Sequence, residues 1–520
     1  MKPISRLLAL LAATLCVSFA AEARLFRHAS QVDPGTMDPH ALASLYNNRV
    51  LSQIYESLVE RDESFRAGPR LALSWTPLEG GKGWRFKLRP GVKFHDGTAF
   101  TADDVVFNVK RGLDALSAYR SALPNVSGAR KVDELTVDIL TTQPTPVLPL
   151  SLTNFRLMSK AWCEKHKVER PQDFKAREET YATRNANGTG PFRLGRWETD
   201  VKTVLLAHPG YWGKRGNVTE AHYLVVASAA TRVAGLVSGE IDLVIDPAVQ
   251  DVVRLRSQPG IKVAEATGSG SNFIGFHHTR ADIGNGARGN PFKDARVRQA
   301  IRAAIDLRML VSKVMRDTAT TGRALYSPAV DGFDPRFNAP APYDPARARA
   351  LLRQAGYGDG FAVDLDCSAQ QPTDSLCQAI AGMLSRVGIR VSYRPLPFNT
   401  LLPKIIAGDT SMYVIGWTAA TVEPEGVLVP LARSRTQPGV GEYNFGGYSN
   451  AKADAAIDRG RVEFDSAKRV ALFTEAMTAI DEDAGFIPLI YRKVTWAMRK
   501  NVDVVVRPND NLDLRFVNMN

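Results

Sequence analysis

The chain has 520 residues, of which 44% are hydrophobic and 23% charged, and a formal net charge of +12. This length is enough for two or three domains with their own buried cores. Lysine and arginine are spread along the whole chain among acidic residues, which indicates a solvated basic surface and not a nucleic-acid-binding face. We therefore expect no nucleic-acid partner.

The N-terminus has the pattern of a secretory signal peptide. Lys2 and Arg6 precede an apolar run at residues 7–20, and Ala21-Glu22-Ala23 supplies an A-x-A cleavage site. The run is shorter than a membrane-spanning helix requires. We expect cleavage after Ala23 and export of the mature chain to the periplasm, an oxidising compartment.

Residues 83–111 have the sequence GWRFKLRPGVKFHDGTAFTADDVVFNVKR. The alternation of apolar and basic residues from Trp84 to Arg89 predicts a half-buried strand. Residues 92–94, between a Pro-Gly turn and an Asp-Gly turn, predict a second short strand. Thr101 is placed to cap a following helix, with Asp104 at the position of a capping-box acid. The segment therefore predicts strand, turn, strand, turn and helix.

The second half of the chain alternates between strand and helix patterns, which predicts βαβ units and a parallel sheet. One long helix is predicted at residues 291–315, capped by Asp294. Ligands of open α/β sheets bind beyond the carboxyl ends of the strands, so residues 368–369 and 416–421 are expected at a cleft. The later predicted strands are 361–367, 389–394 and 411–415, and the later helices are 344–356, 373–387 and 398–407.

The 19-residue string RPGVKFHDGTAFTADDVVF at residues 89–107 resembles the signature block of the family 5 solute-binding proteins of ABC importers, the peptide/nickel group. The segments Met37-Asp38-Pro39-His40 and NPFKDARVRQAIRAAID at residues 290–306 are also similar to the family. With gaps, the resemblance runs from about Arg24 to Asn520. It implies an α/β, two-lobed periplasmic-binding-protein (Venus flytrap) fold with an extra small domain in the first lobe.

The family also implies a domain order and a function. Lobe I would consist of residues 24–46, 185–268 and 487–520, the additional small domain of residues 47–184, and lobe II of residues 269–486. The lobes would close over a small solute by a hinge motion and then dock on the membrane permease of an ABC transporter. We expect a monomer with no cofactor, no metal and no catalytic residue.

A secreted hydrolase using the same cleft is the alternative function. Neither a G-x-S-x-G elbow nor an H-E-x-x-H helix occurs in the sequence. His277 and His278 are adjacent, and neighbours on a strand point to opposite faces, so they form a poor joint metal site. The sequence favours the binding protein.

The resemblance implies ligand-binding residues in two segments. The first follows the Asp-Pro-His element, and its residues are Ala43, Ser44 and Leu45. The second begins with the Gly-Trp of lobe II, and its residues are Gly416, Trp417, Thr418, Ala419 and Ala420. For Trp417, a role as a core aromatic residue at a strand end stays open.

Peptide binders of the family place an Asp at the fourth residue of a Trp-x-x-Asp pattern, where it pairs with the α-ammonium group of the ligand. Here that position is Ala420, and an Arg that oligopeptide binders carry three residues before the Trp is replaced by Val414. We expect free unmodified peptides to be disfavoured against modified peptides, opine-like conjugates, sugar oligomers or metal chelates. Glu423, or an acid from the other lobe, remains open as a substitute for the anchor.

Three cysteines remain after the expected cleavage: Cys163, Cys367 and Cys377. Cys367 ends a predicted strand and Cys377 lies early in the next predicted helix, so the two could meet. A Cys367–Cys377 disulfide and a pair of buried thiols are both compatible with the sequence.

Overall fold

The computed structural model describes residues 24–284, 289–370, 372–419, 422–436 and 440–520. The strands are β1 Leu25–Ser30, β2 Val59–Arg61, β3 Ala67–Pro69, β4 Ala72–Pro77, β5 Gly83–Leu88, β6 Val126–Asp133, β7 Thr136–Thr141, β8 Phe192–Glu198, β9 Lys202–Ala207, β10 Glu220–Val225, β11 Leu243–Ile245, β12 Ile261–Phe276, β13 Ala319–Thr320, β14 Phe361–Ser368, β15 Ile389–Leu396, β16 Met412–Thr418, β17 Ile487–Arg499, β18 Val502–Asp503 and β19 Asn518–Met519.

The α-helices are Leu45–Ile54, Ala102–Gly112, Leu148–Ser151, Lys160–Lys165, Tyr181–Arg184, Ala229–Ser238, Val249–Ser257, Ala295–Ala304, Leu307–Met309, Pro345–Gln354, Thr373–Ser385, Phe398–Ile406, Glu425–Leu431, Ala451–Val462 and Ser466–Asp483. Short 3₁₀ turns occupy Glu79–Gly81, Arg120–Ala122, Leu152–Asn154, Pro291–Lys293, Pro335–Phe337 and Leu514–Phe516, and Leu310–Val314 is a π-helical turn. Among the described helices, none has the length and apolar character that crossing a membrane requires.

One large sheet runs through the molecule in the order β15-β14-β16-β12-β17-β11-β1-β10-β9-β8, with β13 paired to β17. At one end β14 is parallel to β15 and β16, which confirms the parallel sheet predicted from the alternating pattern. Towards the other end β1 is parallel to β10 and β11. The two long antiparallel strands β12 and β17 join these parallel groups, because they pair from Ile261 with Arg499 to Ile274 with Ile487.

A separate four-stranded antiparallel sheet, in the order β4-β5-β7-β6, contains the strand predicted around Trp84. The helix predicted after Thr101 is Ala102–Gly112, and the Thr101 N–H donates to Asp104 Oδ2 at 2.9 Å, as expected of a capping box. The strand predicted at residues 92–94 is wrong, since Lys93 forms only an isolated bridge with Ala99. Turns on both sides leave too short a segment for a ladder, and the next N–H, that of His95, donates to Gly188 O at 2.8 Å.

The single helix predicted at residues 291–315 is also wrong, because the structure breaks it. Asp294 caps Ala295–Ala304 as predicted, accepting from the Arg296 N–H at 2.8 Å. Ile305 is then extended, and the buried Ile305 side chain belongs to the core beside β14. Asp306 starts a new helical turn by accepting from the Met309 N–H at 3.0 Å. A second strong cap inside the apolar pattern thus divides the helix.

Candidate ligand-binding cleft

A cavity of about 450 Å³ lies where distant parts of the chain meet. This volume is in the range of small-molecule sites. Four stretches of chain form its wall: residues 43–65, residues 118–156, the β12 and β16 region, and the C-terminal tail. The lining residues are Ala43, Ser44, Leu45, Asn48, Ser52, Glu60, Arg61, Phe65, Ala118, Tyr119, Ser121, Ala122, Ser151, Thr153, Asn154, Arg156, Ser269, Thr418, Ala419, Val422, Arg507, Asn509, Asn511, Asp513 and Arg515.

The loop before residues 43–45 is held by a buried ion pair. Arg111 Nη2 lies 2.7 Å from Asp38 Oδ2, and both side chains are fully buried. Burial alone would raise the pKa of Asp38, but the Arg111 guanidinium lowers it below its ordinary value. His40 accepts from Arg111 Nη1 at its Nδ1, at 2.9 Å, and stacks on Phe155. These contacts fix the chain that leads to Ala43, Ser44 and Leu45, which all lie on the cavity wall.

The second predicted binding segment is only partly on the wall. Strand β16 pairs with β12, with Trp417 opposite Ser271 and Thr418 opposite Gly270, and Thr418 and Ala419 line the cavity. Neither Gly416 nor Trp417 is among the lining residues described above.

The Trp417 indole instead donates to Gly426 O at 2.8 Å, and its ring contacts Tyr443, which favours the core-aromatic interpretation. Ala420 lies outside the described residues. Val414, at the position of the replaced Arg, is buried in the core.

Arginines dominate the charged part of the cavity wall. Arg156 Nη1 lies 2.7 Å from Glu60 Oε1, and Arg515 Nη2 lies 2.9 Å from Glu60 Oε2. On the other side, Arg507 Nη1 lies 2.7 Å from Asp513 Oδ2. Arg61 is the fourth arginine of the cavity wall. Both wall carboxylates are therefore already paired with arginines of the same wall.

The electrostatics of these two carboxylates follow from their neighbours. Burial would raise the pKa of Glu60, but the guanidiniums of Arg515, Arg70 and Arg156 lower it below its ordinary value. Burial would likewise raise the pKa of Asp513, and Arg515 and Arg507 hold it well below its usual range. Both groups are thus ionised acceptors at neutral pH, already engaged by arginines.

Sequence reasoning missed the charged cluster. It expected the tail to cross back to the first lobe but gave no function to Arg507, Asp513 or Arg515. The Arg507 guanidinium donates to Arg61 O at 2.7 Å, across 446 residues of sequence. The available signal was weak: the stretch RPNDNLDLRF at residues 507–516 places charges among apolar residues without a helical or strand period.

Glu423, the predicted substitute anchor, pairs within the segment predicted as lobe II. Its Oε2 lies 2.6 Å from Arg469 Nη2, and Glu425 pairs with the same nitrogen. Burial raises the pKa of Glu425 to about 7, against the opposing effect of Arg469. The adjacent Val422, and not Glu423, lies on the cavity wall.

The remaining predicted features lie at the carboxyl end of β14 and in the His pair. Cys367 and Cys377 are joined by a disulfide, and Cys163 is a buried free cysteine.

His278 Nε2 lies 3.2 Å from Gly485 O, and His277 Nδ1 accepts from the Arg280 N–H at 3.4 Å. In the described ranges there is no group of three or more potential metal ligands.

Comparison with known proteins finds binding proteins of the family that the signature block resembles. The family model for bacterial extracellular solute-binding proteins, family 5 Middle, matches residues 66–439. Heme-binding protein A of Haemophilus influenzae is 26% identical over 472 residues, covering 85% of this chain and 82% of that protein. The dipeptide-binding protein of Escherichia coli K12 is 26% identical over 522 residues, covering 94% of this chain and 93% of that protein.

Among solved structures, that of NikA from Brucella suis in complex with Fe(III)-EDTA superimposes with a TM-score of 0.81 at 22% identity, covering 95% of this chain and 100% of that one. The similarity extends over nearly the whole described chain. It confirms the two-lobed α/β fold predicted from the sequence.

Proposed function

The chain belongs to family 5 of the bacterial extracellular solute-binding proteins, the substrate-binding proteins of ABC importers, and from this premise we propose that it captures a small solute of the peptide, opine or metal-chelate class. The lobes close over the solute and deliver it to a membrane permease. The protein acts as a monomer in the periplasm after cleavage near Ala23. The relatives described above are binding proteins, so the hydrolase alternative gains no support from them.

The single observation that carries the proposal is the composite cavity. Its wall combines residues 43–45, Thr418 and Ala419, and the tail at residues 507–515, so a solute inside it touches parts of the chain that a hinge motion can separate. Its volume of about 450 Å³ suits a small solute. Closure removes the solute from water and completes hydrogen bonds that the open form cannot make.

Scattering and mass spectrometry test this proposal together. The cargo is identified by mass spectrometry of whatever co-purifies after gentle denaturation. Small-angle scattering of stripped protein with and without that cargo is expected to show compaction on binding. An unchanged radius of gyration at saturating cargo would contradict the hinge mechanism.

We also propose that free unmodified peptides are disfavoured cargo. The anchor position is Ala420, which carries no charge. The two wall carboxylates, Glu60 and Asp513, are already paired with arginines, and Glu423 pairs with Arg469. Burying an ammonium without its counter-charge costs about 3–5 kcal/mol, which is roughly a hundred- to several-thousand-fold in affinity.

Calorimetry on wild type and Ala420→Asp tests the peptide preference. Di- to pentapeptides are titrated beside their N-acetylated forms. We expect weak binding of free peptides by the wild type and a gain of affinity for them in Ala420→Asp. Submicromolar binding of free peptides by the wild type, abolished by acetylation, would refute this preference.

A further inference from the structure

The charges on the cavity wall do not balance. Four guanidiniums, those of Arg61, Arg156, Arg507 and Arg515, face two carboxylates, those of Glu60 and Asp513. The described wall therefore has an excess of two positive charges. Asp331, outside the wall, pairs with Arg61, but its side chain is 49% exposed, so it compensates only part of this excess.

These groups are buried, so solvent screens them poorly. Arg61, Arg156 and Arg507 are 7%, 8% and 5% exposed, respectively. Behind them, Arg70 and Glu56 form a further pair, which adds no net charge to the cluster. Taking charged groups out of water without counter-charges is costly. An excess of buried positive charge around an open cavity is what an anionic ligand would offset.

Two of the arginines also have unused donors. The hydrogen bonds of Arg156 all come from Nη1, to Ser57 and Glu60, and its buried Nε has no partner among the described residues. Those of Arg515 come from Nε and Nη2, to Asp513, and Nη2 also lies 2.9 Å from Glu60 Oε2. Within the described part of the chain, this leaves Arg156 Nη2 and Arg515 Nη1 without a protein acceptor.

Apolar groups adjoin the arginines. Phe65 lies on the cavity wall between Arg61 and Arg507, whose guanidinium carbons are 4.9 Å and 5.3 Å from its ring centroid. Tyr119 also contributes to the wall, and its hydroxyl donates to Asn48 Oδ1 at 2.9 Å. The site thus combines cationic donors with aromatic surface, which fits a ligand with an anionic group on an organic body.

We infer that the cargo is an anionic solute that places one or more carboxylate or phosphate groups against Arg156 and Arg515. This inference rests on the proposed function and names the chemical class of its solute. Planar guanidinium groups match both oxyanions, commonly through paired hydrogen bonds. The excess charge predicts that a dianionic or trianionic solute binds more tightly than a neutral analogue of the same size.

The test uses simple oxyanions as probes on the full mature protein stripped of cargo. Thermal unfolding is followed at pH 7 in citrate, in inorganic phosphate and in sodium chloride at matched ionic strength. We expect citrate or phosphate, at millimolar concentration, to raise the unfolding midpoint beyond the effect of chloride. The stronger of the two anions identifies the preferred class, carboxylate or phosphate.

Three variants locate the effect. Arg156→Gln removes one donor group, and Ser121→Asp adds a carboxylate at an exposed position of the wall, so the second variant is informative even if the first folds poorly. Each of these two variants is expected to need about tenfold more anion for the same rise in the unfolding midpoint. Arg196→Gln, on β8 and 62% exposed, is the matched control and should behave as wild type.

Equal anion shifts in all four proteins, or no shift beyond chloride in the wild type, would overturn the inference. Neither result would affect the scattering test of lobe closure. Failure of the two proposals can therefore be told apart.

Discussion

Arg61 and Asp331 form an ion pair, with Nη1 of the arginine 3.2 Å from Oδ2 of the aspartate, between positions 270 residues apart in sequence. Arg61 ends β2 in the segment predicted as the small domain, and Asp331 lies in the segment predicted as lobe II. A second contact between the same two predicted segments is aromatic: the ring centroids of Trp84 and Phe464 are 5.7 Å apart. Both contacts are candidates for interactions that exist only when the cleft is closed.

Replacing Asp331 by Asn should open the unliganded protein slightly. Because the aspartate is half exposed, the pair contributes about 0.2–1 kcal/mol, which changes the ratio of closed to open molecules by up to about fivefold. Small-angle scattering should show a larger mean radius of gyration for Asp331→Asn at low salt, and the difference should shrink in 1 M salt. Asp359→Asn is the control, since Asp359 is an exposed carboxylate before the opposite, amino end of β14. An identical radius for wild type and Asp331→Asn at low salt would contradict the prediction.

Truncating Phe464 should open the protein in a way that salt does not change. Its ring also lies against Gly81, where a Cβ would be 3.0 Å from the phenylalanine ring, so the contact with the segment predicted as the small domain is close. Loss of such an aromatic contact costs roughly 1 kcal/mol. We expect Phe464→Ala to expand the unliganded protein equally in low and high salt. Phe398→Ala, at a more exposed phenylalanine in the segment predicted as lobe II, should leave the radius unchanged. An equal expansion there would show that the effect is not specific to the contact.

His28 should make the fold sensitive to acid. It is 1% exposed, its two ring nitrogens have no partner in the described structure, and burial, with Arg49 and His222, lowers its pKa to about 3. Between about pH 6.5 and pH 3 the unfolded chain binds a proton there that the folded protein does not, so the free energy of unfolding falls as the pH falls.

The variant His28→Phe should remove this part of the acid sensitivity. The packing with Phe26 and Tyr223 suits an aromatic replacement. We expect the wild type to lose about 2–3 kcal/mol more than His28→Phe between pH 6.5 and pH 4.5, measured by urea unfolding at each pH. Parallel pH profiles for the two proteins would be the opposite outcome. His166→Phe, at a half-buried histidine that stacks on Tyr181, is the control and should keep the wild-type slope.

Thiol labelling should distinguish the cysteines. With Cys367 and Cys377 joined, the unfolded and unreduced mature protein has one thiol, Cys163, which is buried in the native state and whose pKa burial raises to about 12. Cys163 should therefore react slowly with a thiol reagent in the native protein. The unfolded protein should take up one label per chain. Reduction should lower the free energy of unfolding by about 3 kcal/mol without unfolding the protein, since the closed loop is short. Three reactive thiols before reduction would rule out the bridge.

The sequence by itself determined the elements whose causes are local. The alternation around Trp84, the Thr101–Asp104 capping box and the strand and helix pattern of β14 to β16 each depend on residues a few positions apart. The long signature string also sufficed to identify the family. Local hydrogen bonds and a hydrophobic period are sufficient information for such elements.

Only the tertiary structure decided the features that depend on distant partners. The N–H of His95 bonds to the distant Gly188, while residues 92–94 form only an isolated bridge. Ile305 leaves the helical conformation while its side chain joins the core. The charge of the cleft arises because two arginines of the tail meet residues about 450 positions earlier: Arg515 pairs with Glu60, and Arg507 donates to the Arg61 carbonyl. Hydrophobic periodicity in the sequence does not predict such long-range ion pairs, because a buried charge gains its partner only when the whole chain has folded.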